Sequence, residues 1–317
     1  MGPVAEVAAG PGARPVAEVG AGTGARPVAE VAAGPVALEV EEVSDPSDPR
    51  IFLYRDLKDS ALRRRLEPEE GVFVVEGKLA LQALLASPYP LVSVLVLRRR
   101  LGVLAGLGLP PGTRALVAAD DVMESVTGFD VHRGVLALGR RLPARNASEL
   151  LASPPPGPPP GATPSPLVVA EALSDQENLG AIFRNAAAFG ARAVLLGPTC
   201  GDPLYRRSVR VSQGAVLQVP YATLAPWPNA LESLKDKGFF PLALTPSPRA
   251  EPVARVAYEL QGHDVALVVG AEGPGLSPDV LSRCRQVRVP MAPGVDSLNV
   301  AAATAVALYE FSGLARR

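Results

Sequence analysis

Residues 167–184 read LVVAEALSDQENLGAIFR, and how this stretch is parsed settles how the rest of the chain is parsed. The apolar run at 167–171 has the length and valine content of a buried strand. From 178 to 189 the period changes: Leu179, Ile182, Phe183 and Ala186 recur at helical spacing, with Arg184 off their stripe. A buried strand followed closely by an amphipathic helix is a building unit of parallel sheets. The alternation continues downstream. Strands are expected at 193–196, 240–244, 265–269 and 286–289, and helices at 229–237, 278–284 and 298–314. This order predicts a mostly parallel sheet covered on both faces.

Open α/β sheets hold ligands beyond the carboxyl ends of their strands, and three loops there carry unusual residues. The first, 173–184, places Asn178 at a helix start, where an amide either caps backbone or holds a ligand. Gly180 permits close approach of another backbone or a ligand. Arg184 is either a surface ion-pair partner or a permanent charge for phosphate or an oxyanion. The second loop, 270–276, has three glycines around Glu272 but lacks the Gly-x-x-x-x-Gly-Lys pattern of a phosphate loop. No Gly-x-Gly-x-x-Gly follows the first strand, which weighs against a Rossmann-type dinucleotide site. In the third loop, 290–300, Ser297 is expected to cap the last helix, with Asn299 in its first turn. Exposed amides there suit the carboxylate or ribose of a nucleoside-like cofactor.

Before these strands the chain divides further. A first domain is expected at 50–145, with strands at 72–75, 91–97 and 134–138, and helices at 78–86 and 120–126, the latter capped by Asp120. Basic clusters at 63–65, 98–100 and 140–141 are solvated faces or RNA contacts. A linker is expected at 146–166; its stretch 153–166 contains eight prolines, which stiffen and extend it. Residues 1–49 open with a repeat of period twelve (GPVAEVAAGPGA, RPVAEVGAGTGA, RPVAEVAAG). With Gly and Pro in each copy and nothing apolar larger than Val, 1–49 is expected to be a disordered acidic tail whose removal leaves activity intact.

That tail carries eight acids and two bases, a balance of −6, so the remaining residues hold +5 against the whole chain's −1. A polyanionic partner is therefore compatible with a nearly neutral chain. Two cysteines, Cys200 and Cys284, cannot make a disulfide framework, and with two histidines in no ligand spacing no metal site is expected. No apolar run approaches a membrane span, and the N-terminus has neither secretion nor transit character, so a cytoplasmic location is expected.

Taken together, the three loops resemble the SpoU group of the SPOUT methyltransferases. The resemblance rests on Asn178-Leu-Gly180 with Arg184 and Phe189-Gly190, on Val269-Gly270-Ala-Glu272-Gly273 with Gly275-Leu276, and on Val289-Pro290-Met291 with Ser297-Leu298-Asn299-Val300. Asp202-Pro203, Arg210, Ser212, Gly214 and Ala215 match an intervening stretch, and Gln176 stands where many relatives have proline. That departure is expected to alter loop stiffness and little else. Phe73-Val-Val-Glu76-Gly77 and Arg133-Gly134-Val135 are similar to the attached substrate-binding domain, a small ribosomal-protein-like fold that holds RNA. The resemblance implies a trefoil-knotted SPOUT domain over 167–317, a homodimer, and methylation of an RNA ribose 2′-hydroxyl from S-adenosyl-L-methionine. It implies cofactor contacts at Leu244, Gly270, Val289, Leu298 and Asn299, and catalytic roles for Arg184, Asn178, Glu272, Ser297 and Asn299. Ribosomal RNA is favoured and transfer RNA stays open. So do a non-catalytic RNA-binding assembly factor and a base-nitrogen methyltransferase, although the Ser-Leu-Asn sequence favours ribose.

Overall fold

The computed structural model describes residues 27–33, 36–128, 134–152 and 165–312. They fall into two compact units, one ending at Leu142 and the other beginning at Pro143. The first contains β1 (Pro27–Ala33), β2 (Val36–Val43), α1 (Ser60–Glu69), β3 (Val72–Glu76), α2 (Lys78–Leu85), β4 (Leu91–Leu97), β5 (Arg114–Ala118), α3 (Asp120–Thr127) and β6 (Val135–Arg140). Its mixed sheet runs β1-β2-β5-β4-β6-β3. Ile51, Tyr54, Leu95, Leu116, Met123 and Leu136 form part of the core on one face. Asp120 lies in the first turn of α3 and does not cap it; Ala119 occupies that position without a side-chain bond.

Three expectations for this half need correction. Residues 36–49 are not tail. Strand β2 pairs parallel with β5, placing Val40 opposite Ala115 and Val43 opposite Ala118. Leu38 and Val40 are buried while Glu39 is exposed and Glu41 half-buried, so these two acids occupy the alternate positions of the strand, and Val43 is buried at its end. Glu41 accepts from Arg114 Nε at 2.9 Å and from Arg50 Nη1 at 2.7 Å, which holds its carboxyl below the usual range despite partial burial. The repeats at 2–25, Arg133 and the stretch 153–164 lie outside the described residues. Second, the basic clusters are partly consumed within the fold. Arg63 is buried against Glu67 at 2.9 Å, Arg98 pairs with Glu42, and Arg141 donates to the Val72 carbonyl at 2.8 Å. Third, the expected linker begins too early, because 146–152 belong to the second unit. There α4 (Ala147–Ala152) starts after Asn146, whose side chain accepts from the Glu149 amide at 2.7 Å, and it buries Ala147 and Leu150.

The second unit continues with β7 (Leu167–Ala170), α5 (Gln176–Ala188), β8 (Ala193–Leu196), α6 (Arg206–Val211), β9 (Tyr221–Thr223) and α7 (Ala230–Asp236). Then follow β10 (Phe240–Leu244), β11 (Glu251–Pro252), α8 (Val253–Glu259), β12 (Val265–Val269), α9 (Pro278–Arg283), β13 (Arg285–Arg288) and α10 (Val300–Phe311). The seven strands are ordered β11-β13-β10-β12-β7-β8-β9, and every pair is parallel. Leu167, Val169, Leu195, Ala266 and Val268 share a core cluster with residues of α4, α7 and α9. Their neighbours Val168, Val194 and Leu267 are equally buried, which period-two alternation assigns to the other face, where α5, α8 and α10 contact the strands. On α5 the stripe of Leu179, Ile182, Phe183 and Ala186 is fully buried. Phe183 meets Tyr221 edge-on at 5.6 Å, and burying a ring of that size contributes about 1.5–3 kcal/mol.

Candidate active site

The carboxyl ends of β10, β12 and β13 converge on one cleft of about 480 Å³. Leu244, Thr245 and Pro246 line it from the end of β10, the glycine loop 270–275 from β12, and Val289, Met291 and 297–299 from β13. The glycine loop folds back on itself: the Gly275 amide donates to the Ala271 carbonyl at 3.1 Å. A side chain on Gly270 would strike the backbone of Gly275 and Leu276, so only glycine permits this closure. Most of the wall is apolar, and Leu298 remains 41% exposed, offering the cleft an uncovered hydrocarbon side chain.

At its rim Asn299 connects three segments. Its Nδ2 donates to Asn178 Oδ1 at 2.8 Å and to Glu272 Oε1 at 2.6 Å. Its Oδ1 accepts from the amides of Ala301 at 3.0 Å and Ala302 at 3.2 Å, capping α10. One amide group thus joins the start of α5, the glycine loop and the start of α10. The cap of α10 is therefore Asn299, correcting the expectation of Ser297, which is exposed at the cleft. Asn178 does not cap α5 either. Asp175 does, accepting from the Glu177 and Asn178 amides, which leaves the buried Asn178 side chain for Asn299.

Of the expected cofactor contacts, Leu244, Gly270, Val289, Leu298 and Asn299 all line the cleft, as do Glu272 and Ser297. Asn178 reaches it through Asn299. Arg184 does not line it. Six residues beyond Asn178 on α5, Arg184 lies about 240° around the helix and is exposed. Asn185, seven residues beyond Asn178, shares its face instead and donates to the Ala301 carbonyl at 2.7 Å. Asn185 is not among the motif residues named above, although its seven-residue spacing from Asn178 places the two on one helix face. Met291, which belongs to the third motif, also lines the cleft; Thr245 and Pro246 line it too but carry no local pattern, and in sequence Glu171 shows only as the end of a strand. Glu171 is buried with a carboxylate that accepts three hydrogen bonds. Burial pushes the Cys284 thiol up to about 11 and raises that of Cys200 as well, so neither is a ready nucleophile. Among the described residues no three His, Cys, Asp or Glu side chains gather as a metal site, and no helix is long and apolar enough to cross a membrane.

The family model of the SpoU rRNA methylases matches residues 165–309. Over 279 residues the chain is 43% identical to an uncharacterized tRNA/rRNA methyltransferase of Mycobacterium tuberculosis, covering 85% of this chain and 91% of that one. This chain belongs to the SpoU methylase family. A second SpoU-type relative is the 23S rRNA (guanosine-2′-O-)-methyltransferase RlmB of Acinetobacter baylyi, 30% identical over 248 residues, which cover 76% of this chain and 94% of that one. The AdoMet-bound rRNA methyltransferase of Sinorhizobium meliloti has the same fold, with a TM-score of 0.70 at 24% identity over 88% of this chain and 99% of that one.

In this SpoU member Gln176 has more than a stiffening role. Gln176 is buried, and both its carbonyl and its side-chain oxygen accept from Ser208 Oγ. It thereby fastens the first turn of α5 to α6. Close to that contact, a side chain on Gly180 would strike the Ser208 backbone, so glycine sets how near the two helices come. The expectation that Gln176 changes little is corrected accordingly.

Proposed function

We propose that this protein methylates a ribose 2′-hydroxyl in RNA, with S-adenosyl-L-methionine as methyl donor and ribosomal RNA as substrate. The observation that carries the reading is the Asn299 amide, shared between Asn178 and Glu272 at the rim of an apolar cleft. A site of about 480 Å³ falls within the range of small-molecule pockets, roughly 300–1,000 Å³. Its residues fit a nucleoside carrying a thioether chain: Leu244, Val289, Met291 and Leu298 suit a base and an aliphatic arm, and Thr245, Ser297 and loop backbone suit ribose and polar ends. When bound, that donor supplies a methyl group on a positively charged sulfur. The protein's part is then to position two substrates and to ease deprotonation of a weak acid.

Asn178 and Glu272 fix the Asn299 amide, and Ser297 orients the ribose. Arg184 stabilises the developing alkoxide, since a guanidinium does not readily serve as a base; substrate phosphate or solvent takes the proton. The first unit binds RNA through its exposed basic residues, Arg65 and Arg100 among them. Ribosomal RNA is preferred because the RlmB relative is named for 23S rRNA. The same reading includes a trefoil knot in the second unit, a homodimer and a cytoplasmic location. The test is transfer of labelled methyl to separate pools of unmodified ribosomal and transfer RNA, followed by alkaline hydrolysis. Label in alkali-resistant dinucleotides from ribosomal RNA is the expected result. Label confined to transfer RNA would overturn the substrate assignment, label only in mononucleotides would indicate base methylation, and no label with no cofactor binding would indicate an assembly factor.

A further inference from the structure

The chain's one tryptophan and a buried carboxylate are hydrogen-bonded to each other, and the carboxylate is bonded to the residue that closes the glycine loop. Glu171 follows the last residue of β7, and its backbone amide donates to the Val269 carbonyl at 2.8 Å, where the glycine loop begins. Its side chain turns to the other end of the same loop. Glu171 Oε2 accepts from the Ser277 amide at 2.8 Å, and Oε1 accepts from Ser277 Oγ at 2.7 Å. Ser277 is the N-cap of α9 and immediately follows Leu276, whose side chain is buried in the core. Both ends of the loop therefore hang from one residue. The third donor is Trp227 Nε1, at 2.9 Å from Oε1, from the segment between β9 and α7.

We propose that Glu171 is a positioning residue for the cofactor cleft: it holds the closing end of the glycine loop in the shape that binds the donor, and Trp227 reports on that shape. A carboxylate suits this place because it only accepts, and all three groups facing it donate. Glutamine has the same outline but turns an N–H toward one of those donors. The mismatch falls on the loop's closing end, because the strand end at Val269 is fixed by sheet hydrogen bonds. A change in loop position moves Ser277, then Glu171, then the indole N–H, so loading the cleft alters the environment of Trp227. Arg184 and the RNA-facing surface have no part in this chain of contacts.

The inference rests on the reading of the cleft as a cofactor site, so the first measurement is calorimetric binding of S-adenosylhomocysteine to the wild-type protein. No binding there overturns the underlying reading, and the positioning role with it. With wild-type binding in hand, the decisive comparison is Glu171→Gln. A donor–donor clash in a buried site costs about tenfold or more, and the expected result is a rise of that order in the Kd for S-adenosylhomocysteine and in the KM for the methyl donor. The kcat at saturating donor and the KM for RNA stay within a factor of about two, because the clash acts before chemistry and away from the RNA. Tryptophan emission shifts on titrating the wild type with S-adenosylhomocysteine. Ser277→Ala, which keeps the backbone donor and loses the hydroxyl's bond to Glu171 together with the long 3.4 Å cap bond from the Val280 amide, shows a smaller rise in KM with the emission response retained, and serves as the readout if Glu171→Gln does not fold. Unchanged donor binding in the folded variants overturns the proposal while leaving the cleft's function intact. An equal loss in kcat, both KM values and thermal stability overturns it too, because it marks a merely structural carboxylate.

Discussion

Asn299 joins a structural task to a chemical one, and the two can be separated by a single atom. Its Oδ1 caps α10 while its Nδ2 bridges Asn178 and Glu272. Aspartate retains the capping oxygen, and its charge is favourable at a helix N-terminus. It loses the donor, however, and sets a second carboxylate against Glu272. Asn299→Asp is therefore expected to keep its Tm near wild type while turnover falls on the order of a hundredfold, because the rim can no longer hold its geometry. Asn299→Ala gives up both tasks and loses about 1 kcal/mol of stability in addition. Thermal melts and methyl-transfer rates on the two variants decide this; an Asn299→Asp protein with full turnover would show that the shared amide does not matter. The identity of Asn299, Glu272 and Asn178 was legible in sequence as polar residues on loops, but their mutual bonds were not. Those bonds depend on bringing together positions 121 and 27 residues apart along the chain.

At the scale of elements, legibility followed burial. Strands β7, β8, β10 and β12 are short runs buried on both faces, and their apolar composition marks them directly. Short edge elements such as β9 and β11, and the brief helices α6 and α8, bury too little for a pattern to rise above their surroundings. Strand β2 was missed for a different reason. Its acids suggested a solvated tail, whereas alternation of Leu38 and Val40 with Glu39 and Glu41 is what a half-buried strand requires. Removing residues 1–49 is therefore expected to lower the Tm of the protein and impair its first unit, since it strips β5 of one of its two partner strands and Val43 from the core. An unchanged melting curve after that truncation would contradict the role given to β2. Acid should loosen the same strand. Arg114, then Arg50, holds the Glu41 carboxyl below its ordinary value of 4.5, so its contribution is fully present above that value. The contribution is lost as pH falls through the lower folded value. Melts between pH 6 and pH 3 are expected to show this loss, and Glu41→Gln should flatten that part of the profile.

For the whole molecule, the position of Arg184 sets the problem. It is exposed and lies off the cleft of its own chain, yet the proposed chemistry needs a cation near the ribose oxygen. A homodimer resolves this if the arginine of one copy serves the cleft of the other. The edge formed by α5 and α10 has the character of a self-associating surface: Val306 and Tyr309 are 40% and 44% exposed, and Phe189 meets Tyr309 edge-on at 6.0 Å. Twofold pairing through such a patch would repeat the same contact in both directions. Arg184→Ala and Asn299→Asp should each be nearly inactive alone. Mixed after subunit exchange, half of the dimers would carry one of each, and in those one cleft would have both an intact Asn299 and an intact Arg184 from the opposite copy. Recovery of roughly a quarter of wild-type activity is expected from that statistics of a twofold assembly. If Arg184 acted within its own chain, both clefts of every mixed dimer would lack one essential group, and the mixture would stay as inactive as its parents.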